Sequence, residues 1–244
     1  MKSKRIYQHS PLQCDTQITL DADAAHHLTR VLRCRLDDKV ELFNGDGHSY
    51  TAIIREISKR RTNVKILSQS PLETVPLLDI HLGLPLSKGQ RMDFAIQKAV
   101  ELGISTITPL TTEHTAVKLP EKRLQQKQQH WQQVIISACE QSGRCRLPLL
   151  HALTRLDAWS QQQVRYGIVL DPQADNSLAA LPSPADDTTL HLVCGPEGGL
   201  SRNEIKQLIQ HHFYPVQLGP RILRTETAPL AAITAVQTLW GDFR

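Results

Sequence analysis

Between Ser70 and Pro76 the run Ser70-Pro71-Leu72-Glu73-Thr74-Val75-Pro76 carries two prolines and little periodicity, and the apolar pattern differs on its two sides. That change constrains the fold more than any other feature of the chain. Before it, residues 40–67 read as short strands. VELF and YTAIIREI are joined by Asn44-Gly45-Asp46-Gly47, a hairpin signal because glycine accepts positive φ. The turn 58–63 then leads into Val64-Lys65-Ile66-Leu67. Several short strands in so few residues predict a small β-barrel. Ahead of them, residues 24–33 predict a short helix with Leu28, Val31 and Leu32 on one face and His26, Arg30 and Arg33 on the other.

After the linker, strands and helices alternate. Strand-like 80–84 precedes an amphipathic helix over about 88–102, with Met92, Ala95, Ile96 and Ala99 inward and Gly103 as its stop. Strand 104–110, a long helix 121–141, and strands 166–170 and 190–194 follow. Ser201-Arg202-Asn203-Glu204 has the form of a capping box and opens a helix to about 211. Strand 214–218 and a helix 225–240 complete the order. The Gln-rich 125–129 reads as a solvated helix face, and no internal repeat is visible. This alternation implies a mostly parallel sheet with ligand loops at the strand carboxyl ends. The expected division is residues 1–72 and 73–244.

Charge follows the same division. The chain of 244 residues carries a net +4; residues 1–72 hold 12 basic and 8 acidic side chains, and the remainder holds 16 of each. The first part is therefore the one suited to a polyanion. The opening residues show no signal-peptide pattern and no apolar run is long enough for a membrane span, so a cytoplasmic protein is expected. Cysteines 14, 34, 139, 145 and 194 form an odd, scattered set that suits free thiols, and the adjacent His26-His27 and His211-His212 pairs lack metal-ligand spacing. No metal is expected.

Three loops follow strands of the second part: Leu170-Asp171-Pro172, then Cys194-Gly195-Pro196-Glu197-Gly198-Gly199-Leu200-Ser201, then residues 218–228. The middle loop brings backbone within reach of a flat ligand, yet it is neither G-x-G-x-x-G nor a P-loop. In the last loop Arg221 and Arg224 flank Ile222-Leu223, and Glu226 stands at a helix entrance that favours a carboxylate. Glu140-Gln141-Ser142-Gly143-Arg144 ends the long helix with a polar cluster.

The segments LGLPLSKGQRMDFAIQKAVELG, SACEQSGR, LVCGPEGGLSRNEI and LGPRILRTETAPLAAITA, with the opening Arg5-Ile6-Tyr7, resemble the bacterial 16S rRNA (uridine-N3)-methyltransferases, the RsmE family of the SPOUT class, over nearly the whole chain. The resemblance implies an α/β domain tied into a trefoil knot, a PUA-like N-terminal barrel, S-adenosylmethionine as cofactor and a homodimer. It implies a cofactor pocket of Leu170, Gly195, Pro196, Glu197, Gly198, Leu218, Gly219, Ile222 and Leu223, with Arg224, Glu226, Glu140 and Arg144 facing the uracil. Arg224 is expected to stabilise a uridylate anion, with Glu226 as candidate base or as its support. Arg30, Arg33, Arg35, Lys59, Arg60, Arg61 and Lys65 are the candidate RNA contacts. The expected substrate is a uridine in the decoding region of 16S rRNA, on the naked RNA or on the 30S subunit. Another RNA substrate, or a ribosome-assembly RNA binder without activity, are the alternatives. The chain departs from its relatives at Glu113-His114-Thr115, where an Arg often follows the acidic residue.

Overall fold

The computed structural model describes residues 4–58, 61–116 and 120–243. The chain divides into two compact units, Met1–Val75 with Ile136–Leu147, and Pro76–Ile135 with Pro148–Arg244.

In the first unit five strands, β1 (Arg5–Tyr7), β2 (Gln17–Thr19), β3 (Lys39–Phe43), β4 (Tyr50–Ile57) and β5 (Thr62–Gln69), form one sheet in the order β1-β3-β4-β5-β2. Its pairings are antiparallel except β1 with β3. The alternating residues Val40, Leu42, Tyr50, Ala52, Ile54, Val64 and Ile66 point into one core, which Ile6, Leu20 and Leu28 complete. Two register shifts between β4 and β5, at Thr51/Ala52 and Ile54/Glu56, bend the ribbon where a flat pairing would leave this core open.

The predicted helix ahead of the sheet is α1 (Ala22–His26), which runs on into a π-helical turn, His27–Val31. The wider turn, closed by Leu32 N–H to His27 O at 2.9 Å, rotates the face that a 3.6-residue period predicts. Leu28 is fully buried and Leu32 packs against the core, but Val31 is 61% exposed, contrary to the expected face. The linear division also needs one change. Residues 136–147 lie with the first unit, where the Glu73 carboxylate accepts the Cys145 and Arg146 N–H groups at 2.9 and 2.8 Å.

The second unit is the expected α/β structure. Strands β6 (Ile80–Pro85), β7 (Thr106–Thr111), β8 (Leu149–Leu150), β9 (Thr154–Arg155), β10 (Tyr166–Leu170), β11 (Leu190–Val193) and β12 (Phe213–Val216) are all parallel, in the order β12-β10-β11-β6-β7-β8 with β9 also on β7. Every residue of β6 and β11 is buried, as a parallel strand covered on both faces requires. The helices are α2 (Arg91–Glu101), α3 (Glu121–Ser142), of which residues 136–142 belong to the first unit, α4 (Leu156–Ser160), α5 (Arg202–Gln210) and α6 (Ala228–Trp240). The capping box at α5 is present in full: Ser201 Oγ accepts the Glu204 N–H, and Glu204 Oε2 accepts the Ser201 N–H. Among the described residues no helix is long and apolar enough to cross a membrane.

The sheet buries a polar cluster. The Trp159 indole donates to His81 Nε2 at 3.2 Å, Thr108 Oγ1 lies 2.7 Å from the same nitrogen, and Thr108 Oγ1 lies 3.0 Å from His151 Nδ1. An indole N–H only donates, so His81 Nε2 is an unprotonated acceptor and the imidazole is neutral. Burial, aided by His191 and His151, pushes its pKa down to about 3 from 6.5. The unfolded chain therefore binds one more proton than the folded chain between those values, and stability rises with pH across that window. Urea unfolding of the wild type between pH 4.5 and 6.5 should gain on the order of 1 kcal/mol per pH unit over a His81→Asn variant. Parallel pH dependences for the two proteins would contradict this.

Candidate functional site

The sheet order makes neighbours of loops that are far apart in sequence. β10 lies between β11 and β12, with Val169 opposite Val193 and Leu170 opposite Val216, so all three carboxyl ends open side by side. The loops beyond them line a cleft of about 600 Å³. Leu170, Gly195, Pro196, Glu197, Gly198, Leu218, Gly219, Ile222 and Leu223 all border it, and so do Arg224 and Glu226. It is the place where a parallel α/β sheet binds ligands, beyond the strand carboxyl ends at a reversal of strand order.

The middle loop is pressed tight. A Cβ on Gly195 would stand 3.0 Å from Gly199 Cα and from Leu200 N, and one on Gly198 would stand 3.0 Å from the Cβ of His114. No larger residue fits either position without displacing backbone or the His114 side chain. Pro196 and Cys194 are buried, which fixes the loop at its base. His114 Nδ1 lies 3.1 Å from the carbonyls of both Gly198 and Gly199, so that nitrogen carries the proton and donates. The His114 side chain thus braces the Gly-rich loop. Glu113 N–H donates to Glu204 Oε1 at 2.8 Å, tying the same segment to the capped start of α5.

Of the three carboxylates that border the cleft among the described residues, Asp171 and Glu197 have hydrogen-bonded partners. Asp171, 7% exposed, accepts the Gln173 N–H at 2.9 Å and pairs with Arg202 at 3.3 Å. Partial burial pushes the Glu197 carboxyl up, but hydrogen bonds from its own and the Lys88 N–H groups and from Arg91 outweigh this and hold it below its ordinary value. Arg91 Nη1 donates to Glu197 Oε1 at 2.8 Å.

Arg224 closes the far side. Its carbonyl accepts the N–H groups of Thr227 and Ala228, which starts α6, while its side chain is 79% exposed at the cleft. Its Nη1 stands 4.0 Å from Glu226 Oε1, and the other Glu226 oxygen is 3.9 Å from Arg91 Nε. Glu226 is the more enclosed partner, with a side chain 16% exposed. Ile222, 86% exposed, projects from the same loop.

The remaining predicted residues lie in the first unit. Glu140 Oε1 accepts the Tyr7 N–H at 3.1 Å and Oε2 lies 3.3 Å from His27 Nδ1; burial pushes its pKa up, against the Tyr7, His27 and Arg5 contributions. The Arg144 backbone carbonyl accepts a hydrogen bond from Arg5 Nη2 at 2.9 Å, and burial pushes the pKa of its guanidinium down. Arg30, Arg33, Arg35, Arg61 and Lys65 are exposed; Arg61 is paired with Glu56 at 2.8 Å, and Arg33 sits in the left-handed region at φ 52°. Lys59 and Arg60 lie outside the described residues. Among the described residues no group of His, Cys, Asp and Glu is placed to hold a metal.

Arg91 is the site residue that sequence reasoning passed over. It reads as an ordinary polar residue at a helix start, and only the tertiary fold sets it between Glu197 and Glu226.

Comparison with known proteins agrees with this geometry. The RNA methyltransferase domain model matches residues 73–237 and the RNA methyltransferase PUA domain model matches 20–67. The Ribosomal RNA small subunit methyltransferase E of Buchnera aphidicola from Schizaphis graminum is 38% identical over 98% of this chain and 97% of its own. The enzyme of that name from Neisseria gonorrhoeae, solved with S-adenosyl methionine, superposes with a TM-score of 0.91 at 35% identity over 99% of this chain and 100% of that one. A Legionella pneumophila structure with bound cofactor SAM superposes with a TM-score of 0.95 at 36% identity over the same shares. Matched in both units and at this identity over its whole length, the chain belongs to the RNA methyltransferase family, as a ribosomal RNA small subunit methyltransferase E type enzyme of the SPOUT class.

Proposed function

We propose that this chain transfers a methyl group from S-adenosylmethionine to N3 of a uridine in the decoding region of 16S rRNA, with the assembled 30S subunit as substrate. The observation that carries the reading is an exposed arginine at the mouth of a three-loop cleft whose floor is a glycine-rich turn. The names of the relatives and the cofactor bound in two of them support it.

The residues fit such a cofactor. Gly195 lets the loop fold back on its own backbone at Gly199 and Leu200, a tight turn that borders the cleft with main-chain N–H and C=O groups, and Leu170, Leu218 and Leu223 wall it with apolar surface. When bound, S-adenosylmethionine supplies an electrophilic methyl on a sulfonium sulfur. The protein's part is to align the nucleophile and raise its electron density. Uracil N3 carries a proton at neutral pH; its transfer to water leaves an anion whose charge spreads onto O2 and O4. Arg224 suits that anion because its planar fork donates two hydrogen bonds and stays charged. At 4.0 Å from Glu226 it makes no hydrogen bond there, so its donors remain available. Glu226, with an arginine facing each oxygen, holds those arginines in place. Glu140, pinned by Tyr7 and His27, acts as a structural carboxylate within the first unit, and Arg144 with it.

The first unit supplies RNA affinity. Arg30, Arg33 and Arg35 cluster on and just after the π-helical turn, where exposed Val31 and Leu36 offer apolar surface to splayed bases. A homodimer doubles this basic surface, and the trefoil knot of the class accounts for how three loops are held in one cleft. The protein acts in the cytoplasm, where ribosomes assemble.

Two outcomes follow. Arg224→Ala should lower methyl transfer to small subunits by about 100-fold or more while S-adenosylmethionine affinity, measured by calorimetry, stays within about threefold; near wild-type turnover would overturn the assignment. Changing both Arg33 and Arg35 to Gln should flatten the log–log salt dependence of RNA affinity by about 1 to 2 units. An unchanged slope would remove that surface from the RNA interface.

A further inference from the structure

Arg91 begins α2 where the cleft meets a shallower hollow formed by Lys88, Gly89, Gln90, Phe94 and Glu226. It borders both, and its guanidinium is aimed two ways. Nη1 donates to Glu197 of the glycine-rich loop at 2.8 Å, and Nε faces Glu226 at 3.9 Å. Glu226 in turn faces Arg224 at 4.0 Å through its other oxygen. Charges therefore alternate from one wall of the cleft to the other in the order Glu197, Arg91, Glu226, Arg224.

We propose that Arg91 is a positioning residue that couples the glycine-rich loop to Arg224 through Glu226. The inference rests on the proposed methyl-transfer reading of the cleft and adds a residue to it. The physical argument concerns how Glu226 shares its charge. Among the described residues, the cations within 4.0 Å of it are Arg91 and Arg224, one at each oxygen. A largely enclosed carboxylate left with one cation draws that cation into a close, bidentate pair. Arg224, 79% exposed and at 4.0 Å too far from Glu226 for a hydrogen bond, has the reach to make that move. Its donors then turn from the cleft to Glu226. Arg91 prevents the collapse by taking half of the Glu226 charge. Its hydrogen bond to Glu197 fixes where it stands, so the position of the loop that borders the cofactor side sets the position of the arginine on the uracil side. A lysine supplies the charge but only a compact donor, which preserves the balance at Glu226 better than the bond geometry at Glu197.

The test is a mutant cycle on the full-length protein, with single-turnover methyl transfer to small ribosomal subunits from cells lacking the gene and calorimetric S-adenosylmethionine binding as readouts. Arg91→Met should slow single turnover by about 30-fold and weaken cofactor binding by about threefold to tenfold, and Arg91→Lys should recover the rate to within about fivefold of wild type. Adding Arg91→Met to Glu226→Gln should slow the reaction little further, because the carboxylate that misdirects Arg224 has gone. Rates that multiply in the double variant, or an Arg91→Lys variant as slow as Arg91→Met, overturn the coupling. Thermal melts accompany each variant, and Arg91→Gln replaces Arg91→Met in the cycle if the latter does not fold. Wild-type protein that takes up no S-adenosylmethionine overturns the reading of the cleft and this inference with it, a result distinct from an additive cycle in an active enzyme.

Discussion

The parallel ladder that places β10 between β11 and β12 is the constraint from which the site follows. Each strand delivers its following loop at the same edge of the sheet, and only this order sets three loops side by side that are separated by tens of residues along the chain. Parallel pairing demands crossovers, and the crossovers cover both faces of the sheet, which is why β6 and β11 are buried along their whole length. The buried His81, Thr108 and Trp159 hydrogen bonds are tolerated there because each polar group finds a partner.

On that frame the chemistry divides between backbone and side chains. The glycine-rich loop contributes surface and amides, and it keeps its shape through contacts behind it, from His114 and from the Glu204 cap. The last loop contributes charge. Exposed ion pairs stabilise a fold little, and the pairs around Glu226 are too long and too open to be there for that reason. In the proposed reading their value lies in direction: they set where the donors of Arg224 point.

Much of the fold was legible because long apolar periods and turn chemistry are local signals. The hairpin at residues 44–47, the capping box at Ser201 and the alternation after Pro76 each rest on neighbours in sequence. What was not legible depends on distant partners. β1, β2, β8 and β9 are two or three residues long and exist only through the strands they pair with. The π-helical turn moved Val31 off the core because one additional residue in a turn is invisible to a fixed period. The segment that follows α3 joins the first unit through the Cys145 and Arg146 N–H groups, which donate to Glu73 more than 70 positions away. Eight of the nine predicted cleft residues lay within the strings that carry the resemblance and Leu170 at the end of a strand-like run, whereas Arg91, inside another such string, and His114 carried no local signal of what they contact in the fold.

The central claim, that this cleft methylates N3 of one uridine in 16S rRNA, is tested most directly in the RNA itself. A methyl on N3 blocks the Watson–Crick edge and arrests reverse transcription. Primer extension along 16S rRNA should show one strong stop in the decoding region in cells carrying the gene, and none at that position in cells from which it is deleted. An identical stop pattern in both strains would contradict the account.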